Sequence, residues 1–331
     1  MKKIYLILSV FAIVFSACET DFDVNADWEE VTVVYGLLDA SDENTLQEIK
    51  ISKAFLGEMD AYEMALSADS INFSEEDLDV KIVRFVNNGN TDTLSLLAVP
   101  TVRNPGDFND TIMIYTFEND NFLKSNSEYE LIIENKKSGN IVTSKTGIIS
   151  GFKFDMPSSF QFGLLSNFTE GTPSATEFSY STVTWGNSND NGSIYQLDLV
   201  INYTEKTGDN YIEKELLYSQ GLVDEQVSKI TIEGEKFFNF MKKELTKDDT
   251  KVRFFNGIDL VMTVGSEDLE TYIKVNKPIS GIVQERPQFT NISNGIGLFS
   301  SIFIKVRYNL PLTTESKKYL KSIDGLDRNF Q

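Results

Sequence analysis

Val80-Lys81-Ile82-Val83-Arg84-Phe85-Val86, followed by Asn87-Asn88-Gly89-Asn90, decides the fold class. The run mixes β-branched and aromatic residues with alternating polar ones, which is the pattern of a half-buried strand. Asn-Gly is a strong hairpin signal, because a tight two-residue turn needs residues that tolerate positive φ. The same signature recurs outward from this point. Val31-Thr32-Val33-Val34-Tyr35, Ile49-Lys50-Ile51 and Thr111-Ile112-Met113-Ile114-Tyr115 read as strands. Residues 129–134 and 141–149, joined through Lys137-Ser138-Gly139-Asn140, read as a second hairpin. One helical insertion is expected near residues 60–67. About seven short strands separated by turn signals predict an immunoglobulin-like β-sandwich over residues 31–150.

Residues 151–176 carry Ser, Gly and Pro with Phe152, Phe154, Phe160, Phe162 and Phe168. So aromatic a stretch is not a free tether, and it reads as a linker packed against the flanking domains. Residues 177–331 mix periods. Strands are expected at 178–185, 193–205, 211–218, 227–232, 254–264 and 298–308. Between them Phe237, Phe240, Met241 and Leu245 share one face of a helix at 234–245. Ser266 is a plausible N-cap for a second helix whose Leu269, Tyr272 and Ile273 lie together. A short helix is expected at 313–323. The overall class is mainly β with some α, a sandwich followed by an α+β domain.

The amino terminus carries an address. Lys2 and Lys3 precede an apolar run from Ile4 to Phe15, 12 residues long. That is too short for a membrane-spanning helix and matches the apolar region of a secretory signal peptide. It ends in Phe15-Ser16-Ala17-Cys18, which resembles a bacterial lipobox. The resemblance implies cleavage between Ala17 and Cys18, lipidation of Cys18 and acylation of the new amino terminus. Residues 1–17 are then the lipoprotein signal peptide and 18–30 an acidic tether with Glu19, Asp21, Asp23, Asp27, Glu29 and Glu30. Acids at this place resemble the surface-export signal of Bacteroidota lipoproteins. Two or more acyl chains make a stable anchor.

Composition narrows the chemistry. The chain of 331 residues has no histidine and a single cysteine. That leaves no Ser-His-Asp or Cys-His pair, no imidazole ligand and no CxxC site. A net charge of −20 argues against a nucleic-acid partner. Losing Lys2 and Lys3 leaves 28 basic against 50 acidic side chains. Short motif matches fail on context. Gly295-Ile296-Gly297 resembles the start of a phosphate loop but leads into strand-like sequence instead of a helix. Lys145-Thr146-Gly147 and Ser150-Gly151-Phe152-Lys153 match penicillin-binding signatures in reversed order, without the helix that SxxK needs. Asn187, Asn189, Asn191, Gly192 and Asp198 fall at calcium-loop spacing with one carboxylate, which is too few. Trp28 and Trp185 have sizes and ring faces suited to sugar stacking, but a core or interface role is the stronger expectation. The segment around Arg286, Pro287, Asn291 and Asn294 reads first as a structural loop that turns before the 298–308 strand, and alternatively as a partner-contact loop.

Three stretches carry a wider resemblance: residues 34–57 (VYGLLDASDENTLQEIKISKAFLG), 182–205 (TVTWGNSNDNGSIYQLDLVINYTE) and 267–301 (EDLETYIKVNKPISGIVQERPQFTNISNGIGLFSS). Together they resemble an uncharacterised family of Bacteroidota outer-membrane lipoproteins. The resemblance implies a lipid-anchored outer-membrane location, with the extracellular face favoured over the periplasmic one. It brings no catalytic residues. The function expected is that of a non-enzymatic accessory subunit beside integral outer-membrane proteins, in barrel assembly, secretion or TonB-dependent uptake. No cofactor is expected apart from the covalent lipid on Cys18, and no small-molecule ligand. The alternatives are a glycan- or peptide-binding surface lipoprotein and a hydrolase working through carboxylates alone.

Overall fold

Period-two burial governs the strands. In β13 (Ile194–Thr207) Leu197, Leu199, Ile201 and Tyr203 turn inward, while Gln196, Asp198, Val200 and Asn202 turn outward, as the pleat dictates. The computed structural model describes residues 29–56, 68–86, 91–102, 111–125, 127–149, 151–156, 161–186, 191–224, 226–278 and 287–331. The fold is mainly β with some α, 56% strand against 13% helix. The insertion expected at 60–67 and the turn at 87–90 lie outside the described residues.

One eight-stranded sheet runs in the order β14 (Asn210–Asp224), β13, β16 (Lys251–Gly265), β17 (Ile296–Leu310), β1 (Glu29–Asp39), β2 (Leu46–Leu56), β6 (Thr111–Glu118) and β5 (Leu97–Val102). Neighbours are antiparallel except at one seam, where β1 and β17 run parallel with Tyr35 beside Leu298. A four-stranded sheet, β4 (Thr91–Ser95), β3 (Leu78–Phe85), β7 (Glu128–Asn135) and β8 (Ile141–Gly147), covers the inner face at the amino-terminal end. Val34, Ile49 and Tyr115 from the large sheet meet Ile82, Tyr129 and Leu131 from the small one in a single core. Both expected hairpins form, with Phe85 beside Thr91 and Glu134 beside Ile141. Between β6 and β7 the Tyr129 hydroxyl donates to the Phe122 carbonyl at 3.0 Å and accepts from the Lys124 amide at 2.6 Å.

Behind β13 and β16 lie a three-stranded sheet, β9 (Phe154–Met156), β12 (Tyr180–Trp185) and β15 (Lys229–Glu233), and two helices. Helix α2 (Gly234–Glu244) buries Phe237, Phe238 and Met241, close to the stripe that its spacing predicts. The other helix, α4 (Thr314–Lys321), buries Tyr319 and Leu320 against the same core. A fragment of helix, α1 (Ala68–Ile71), precedes β3. Helix α3 (Glu267–Asn276) starts at Ser266, as expected, although the Ser266 hydroxyl bonds Ser300 instead of capping the helix. The aromatic segment 151–176, which carries β10 (Leu165–Asn167) paired with β11 (Glu177–Phe178), delivers Phe152, Phe162 and Phe168 into this second core. A boundary near residue 150 therefore falls between two hydrophobic cores, but the large sheet runs straight across it.

A buried cation ties down the carboxyl-terminal end. Arg253 is 1% exposed, and its guanidinium reaches the Glu205 carboxylate at 3.2 Å and the Arg328 carbonyl at 2.7 Å. Lys214 and Lys251 reach the same carboxylate at 2.8 and 3.3 Å. Burial pushes the Glu205 carboxyl up, but the hydrogen bonds from Lys214 and Lys251 outweigh it and hold the group below its usual range. Removing one member of such a cluster strands a buried charge. Glu205→Gln should cost about 3 kcal/mol in urea unfolding at neutral pH. Because the folded carboxyl titrates below the unfolded one, its contribution is complete above the unfolded range. It is lost as pH falls through the folded value, so variant and parent should converge in acid.

The parallel seam gives a second prediction. Gly297 has φ of +120°, and a Cβ there would lie 1.9 Å from the Val34 carbonyl oxygen. Gly297→Ala should part β1 from β17 and cost about 3 kcal/mol or more, read as a lowered unfolding midpoint.

Candidate functional site

The outer face of the eight-stranded sheet has no second sheet over it among the described residues. Strand pairing fixes which side chains point there. In β17 the outer row is Ile296, Leu298, Ser300, Ile302, Ile304, Val306 and Tyr308, without a charge. Beside it stand Val33, Tyr35 and Leu37 of β1, with Leu46 of β2 next in line. Leu97 and Val99 occupy the β5 end, and Tyr211, Leu217 and Leu222 the β14 end. Among the described residues, ten of the seventeen large hydrophobic residues left exposed lie on this one face: Tyr35, Leu37, Leu46, Leu97, Val99, Tyr211, Leu217, Leu222, Ile296 and Tyr308. Leu97 and Val99 lie at one edge of the sheet and Tyr211, Leu217 and Leu222 at the other, while Tyr35, Leu37 and Leu46 gather at its middle. It is such a gathered set that marks a candidate interaction site.

Helix α3 is the element that crosses this face. Gly265 lets it approach, since a Cβ there would lie 2.7 Å from the Leu269 side chain. A groove of about 550 Å³ opens between the helix and the β1–β2 hairpin, lined by Tyr35, Leu37, Leu46, Leu269, Tyr272 and Ile273. Tyr35 and Tyr272 meet edge to face with centroids 6.1 Å apart, and their hydroxyls share a hydrogen bond at 3.2 Å. The hydrogen bond with Tyr272, with burial behind it, pushes the Tyr35 phenol up to about 12. Asp39 and Glu48 stand at the groove's margin.

A second cleft, of about 590 Å³, is polar and lies where the ends of β7 and β8 face the start of α3. It gathers Glu128, Lys145, Glu267, Asp268 and Glu270. Two of these acids are committed within the chain. Asp268 accepts from the Asn291 amide at 2.8 Å, and Glu270 accepts from Ser193 and pairs with Lys274 at 2.6 Å. Burial pushes the Glu270 carboxyl up, but Lys274 and Ser193 outweigh it and keep the group below its usual range. Among the described residues, no group of three acids or cysteines is placed to hold a metal ion.

The residues singled out from sequence fall in several places. Ala17, Cys18, Trp28 and Arg286 lie outside the described residues, as do Asn187, Asn189 and Ser150. Pro287 is exposed. Asn291 turns its amide onto the edge of β17, donating to the Phe299 carbonyl at 2.7 Å and accepting the Phe299 amide at 3.0 Å. Asn294 takes a positive φ, 59°, and donates to the Ile141 carbonyl at 2.9 Å. These two asparagines pin the loop to the chain itself. Lys145, from the KTG match, lies over the Phe85 ring at 4.9 Å on a β-strand. Trp185 is 2% exposed and packs against Tyr195, so it takes the core role expected and offers no face to a sugar. The apolar outer face was missed. In β17 the outward row is uncharged while the opposite row carries Lys305 and Arg307, so the alternation along this strand points its apolar row toward a core.

No family model matches the chain, and no curated protein matches it. The tyrosine pair gives this site its own test. Tyr272→Phe removes the hydrogen bond that raises Tyr35, so the Tyr35 phenol should titrate closer to 10. Tyrosine-selective ¹³C NMR across alkaline pH reads that shift directly.

Proposed function

We propose that the protein is a lipid-anchored, non-enzymatic subunit of an outer-membrane protein complex, held through Cys18 and docked through the outer face of its large sheet. The observation that carries this reading is the concentration of exposed large hydrophobic residues on that one face. The lipobox supplies the location. Ten residues lie between Cys18 and Glu29, and an extended chain over that span reaches at most about 40 Å. Strand β1, at the middle of the apolar face, therefore begins within that distance of the bilayer. The partner is an integral outer-membrane protein engaged in barrel assembly, secretion or TonB-dependent uptake. The acids that follow Cys18 favour the extracellular side. The reading asks for no cofactor beyond the lipid.

The amino-terminal half fits the same role as an immunoglobulin-like module. Its strand order, β1-β2-β6-β5 against β4-β3-β7-β8, and a tyrosine bonded back across the corner before β7 support that assignment. Such modules serve recognition in many settings, which is support by analogy of fold only.

Gentle detergent extraction followed by affinity purification tests the proposal. A stoichiometric integral membrane partner should accompany the parent protein. Leu37→Asp with Leu46→Asp should lower its recovery about tenfold or more, since apolar anchors at an interface are worth one to several kcal/mol. Both side chains are exposed, so folding should be nearly unaffected. Cys18→Ser should move the protein out of the membrane fraction. Recovery of the parent protein alone would refute the subunit role, and recovery unchanged by the double substitution would refute the docking face.

A further inference from the structure

Strand β14 ends the large sheet, and no described residue pairs with its outer edge. A free edge presents a row of backbone N–H and C=O groups ready for another strand, and folded proteins commonly blunt such edges. This one is blunted only at its far end. The register against β13 shifts between Ser219 and Leu222, where Gly221 takes φ of +78°. Before that bulge, residues 210–219 form a regular ladder with β13, about 34 Å long at the usual strand rise. The first six residues of β14 are exposed on both faces.

Side chains along this regular edge define what can lie against it. On the outer face the order is Tyr211, Glu213, Glu215 and Leu217. Tyr211 and Leu217 are 61% and 60% exposed. Neither glutamate takes part in an ion pair among the described residues. Lys214, the cation between them in sequence, points to the other face and is held by Glu205 at 2.8 Å. On the outer face itself the neighbouring cation is Lys206, opposite Tyr211 and held over its ring at 5.0 Å, so the open edge offers two acids set between two apolar residues.

We propose that this edge accepts an extended strand from another protein, one carrying basic side chains at alternate positions between apolar ones. In an antiparallel addition, residues directly opposite share a face. A partner row of apolar, basic, basic, apolar then meets Tyr211, Glu213, Glu215 and Leu217 in turn. Backbone hydrogen bonds supply the affinity and the alternate side chains supply the choice of partner. A second copy of this chain fits poorly. Two-fold pairing keeps like faces together, so the axis must pass through a residue. Over residues 210–219 it passes through Lys214 or Glu215. The first choice sets Glu213 against Glu215 of the copy, and the second sets Glu215 against itself. Like charges directly opposite destabilise a sheet.

The probe is a capped nine-residue peptide with lysines at its fourth and sixth positions, leucine and tyrosine at its second and eighth, and threonine elsewhere. Its counterpart has glutamates in place of the lysines. With full-length protein in detergent micelles, fluorescence anisotropy should show saturable binding of the lysine peptide. The glutamate peptide should bind about tenfold more weakly, the effect of reversing two exposed cross-strand charge pairs. Glu213→Lys with Glu215→Lys should invert that preference while leaving the thermal midpoint unchanged. Amide exchange in β14 should slow when the lysine peptide is bound. Equal affinity for both peptides, no saturable binding, a preference that survives the double substitution or protection elsewhere would overturn the proposal, as would a dimer that the lysine peptide cannot dissociate. Leu37→Asp with Leu46→Asp, which tests docking on the outer face, should leave peptide binding untouched, so the two proposals can fail separately.

Discussion

The parallel pairing of β1 with β17 joins the first described strand of the chain to one of the last, and the rest of the architecture rests on it. Without it the amino-terminal sandwich and the carboxyl-terminal layers would be separate bodies, since each has its own hydrophobic core. The pairing is made possible by residues that bring backbone against backbone. A Cβ at Gly297 would overlap the Val34 carbonyl, and one at Gly295 would lie 2.7 Å from the Thr32 carbonyl oxygen. Asn291 continues the ladder with its side chain, offering the Phe299 backbone both a donor and an acceptor. Phe299 itself is fully buried in the sandwich core although it comes from the far end of the chain. A parallel pair between distant segments is slow to find and entropically costly to close, so its contacts need to be this specific.

That seam also creates the site. With β17 as a neighbour, β1 becomes a central strand and its outer residues join a face eight strands wide. Helix α3 follows directly from β16 through Gly265 and Ser266, and the seam sets where it lies relative to Tyr35 and Leu37. The groove is therefore a consequence of the long-range pairing. Neither half would form it alone, because Leu269, Tyr272 and Ile273 come from one and Tyr35, Leu37 and Leu46 from the other.

Local structure was legible in the chain to a large degree, for a physical reason. The β3–β4 and β7–β8 hairpins, the stripe on α2 and the start of α3 are determined by neighbours in sequence, where turn chemistry and periodicity act. The seam is different. Gly295 and Gly297 resembled a broken phosphate loop, since a glycine that permits close backbone approach looks the same whichever backbone approaches. Asn291 and Asn294 suggested a contact loop for a similar reason, because an amide that bonds a distant strand cannot be told by sequence from one facing solvent. Nor could the phenylalanines at 152, 162 and 168 be assigned to one core or the other until the layers were placed. The outer face was illegible because it is defined by strand order, and its residues come from β1, β2, β5, β14 and β17.

An open apolar face and an open edge are hazards on a protein that must stay dispersed, and the charge distribution shows how the hazard is contained. On the outer face Asp39, Glu48, Asp198, Glu213, Glu215 and Asp259 outnumber Lys50 and Lys206. Two copies laid face to face would bring acids against acids, in keeping with the net charge of −20 for the whole chain. The same asymmetry that disfavours a second copy would favour a surface of opposite sign, with apolar contact adding affinity once charges had steered the approach. Exposed hydrophobic area and excess acid are thus parts of one arrangement. The first would supply contact area to a partner, and the second would favour one that brings lysine or arginine.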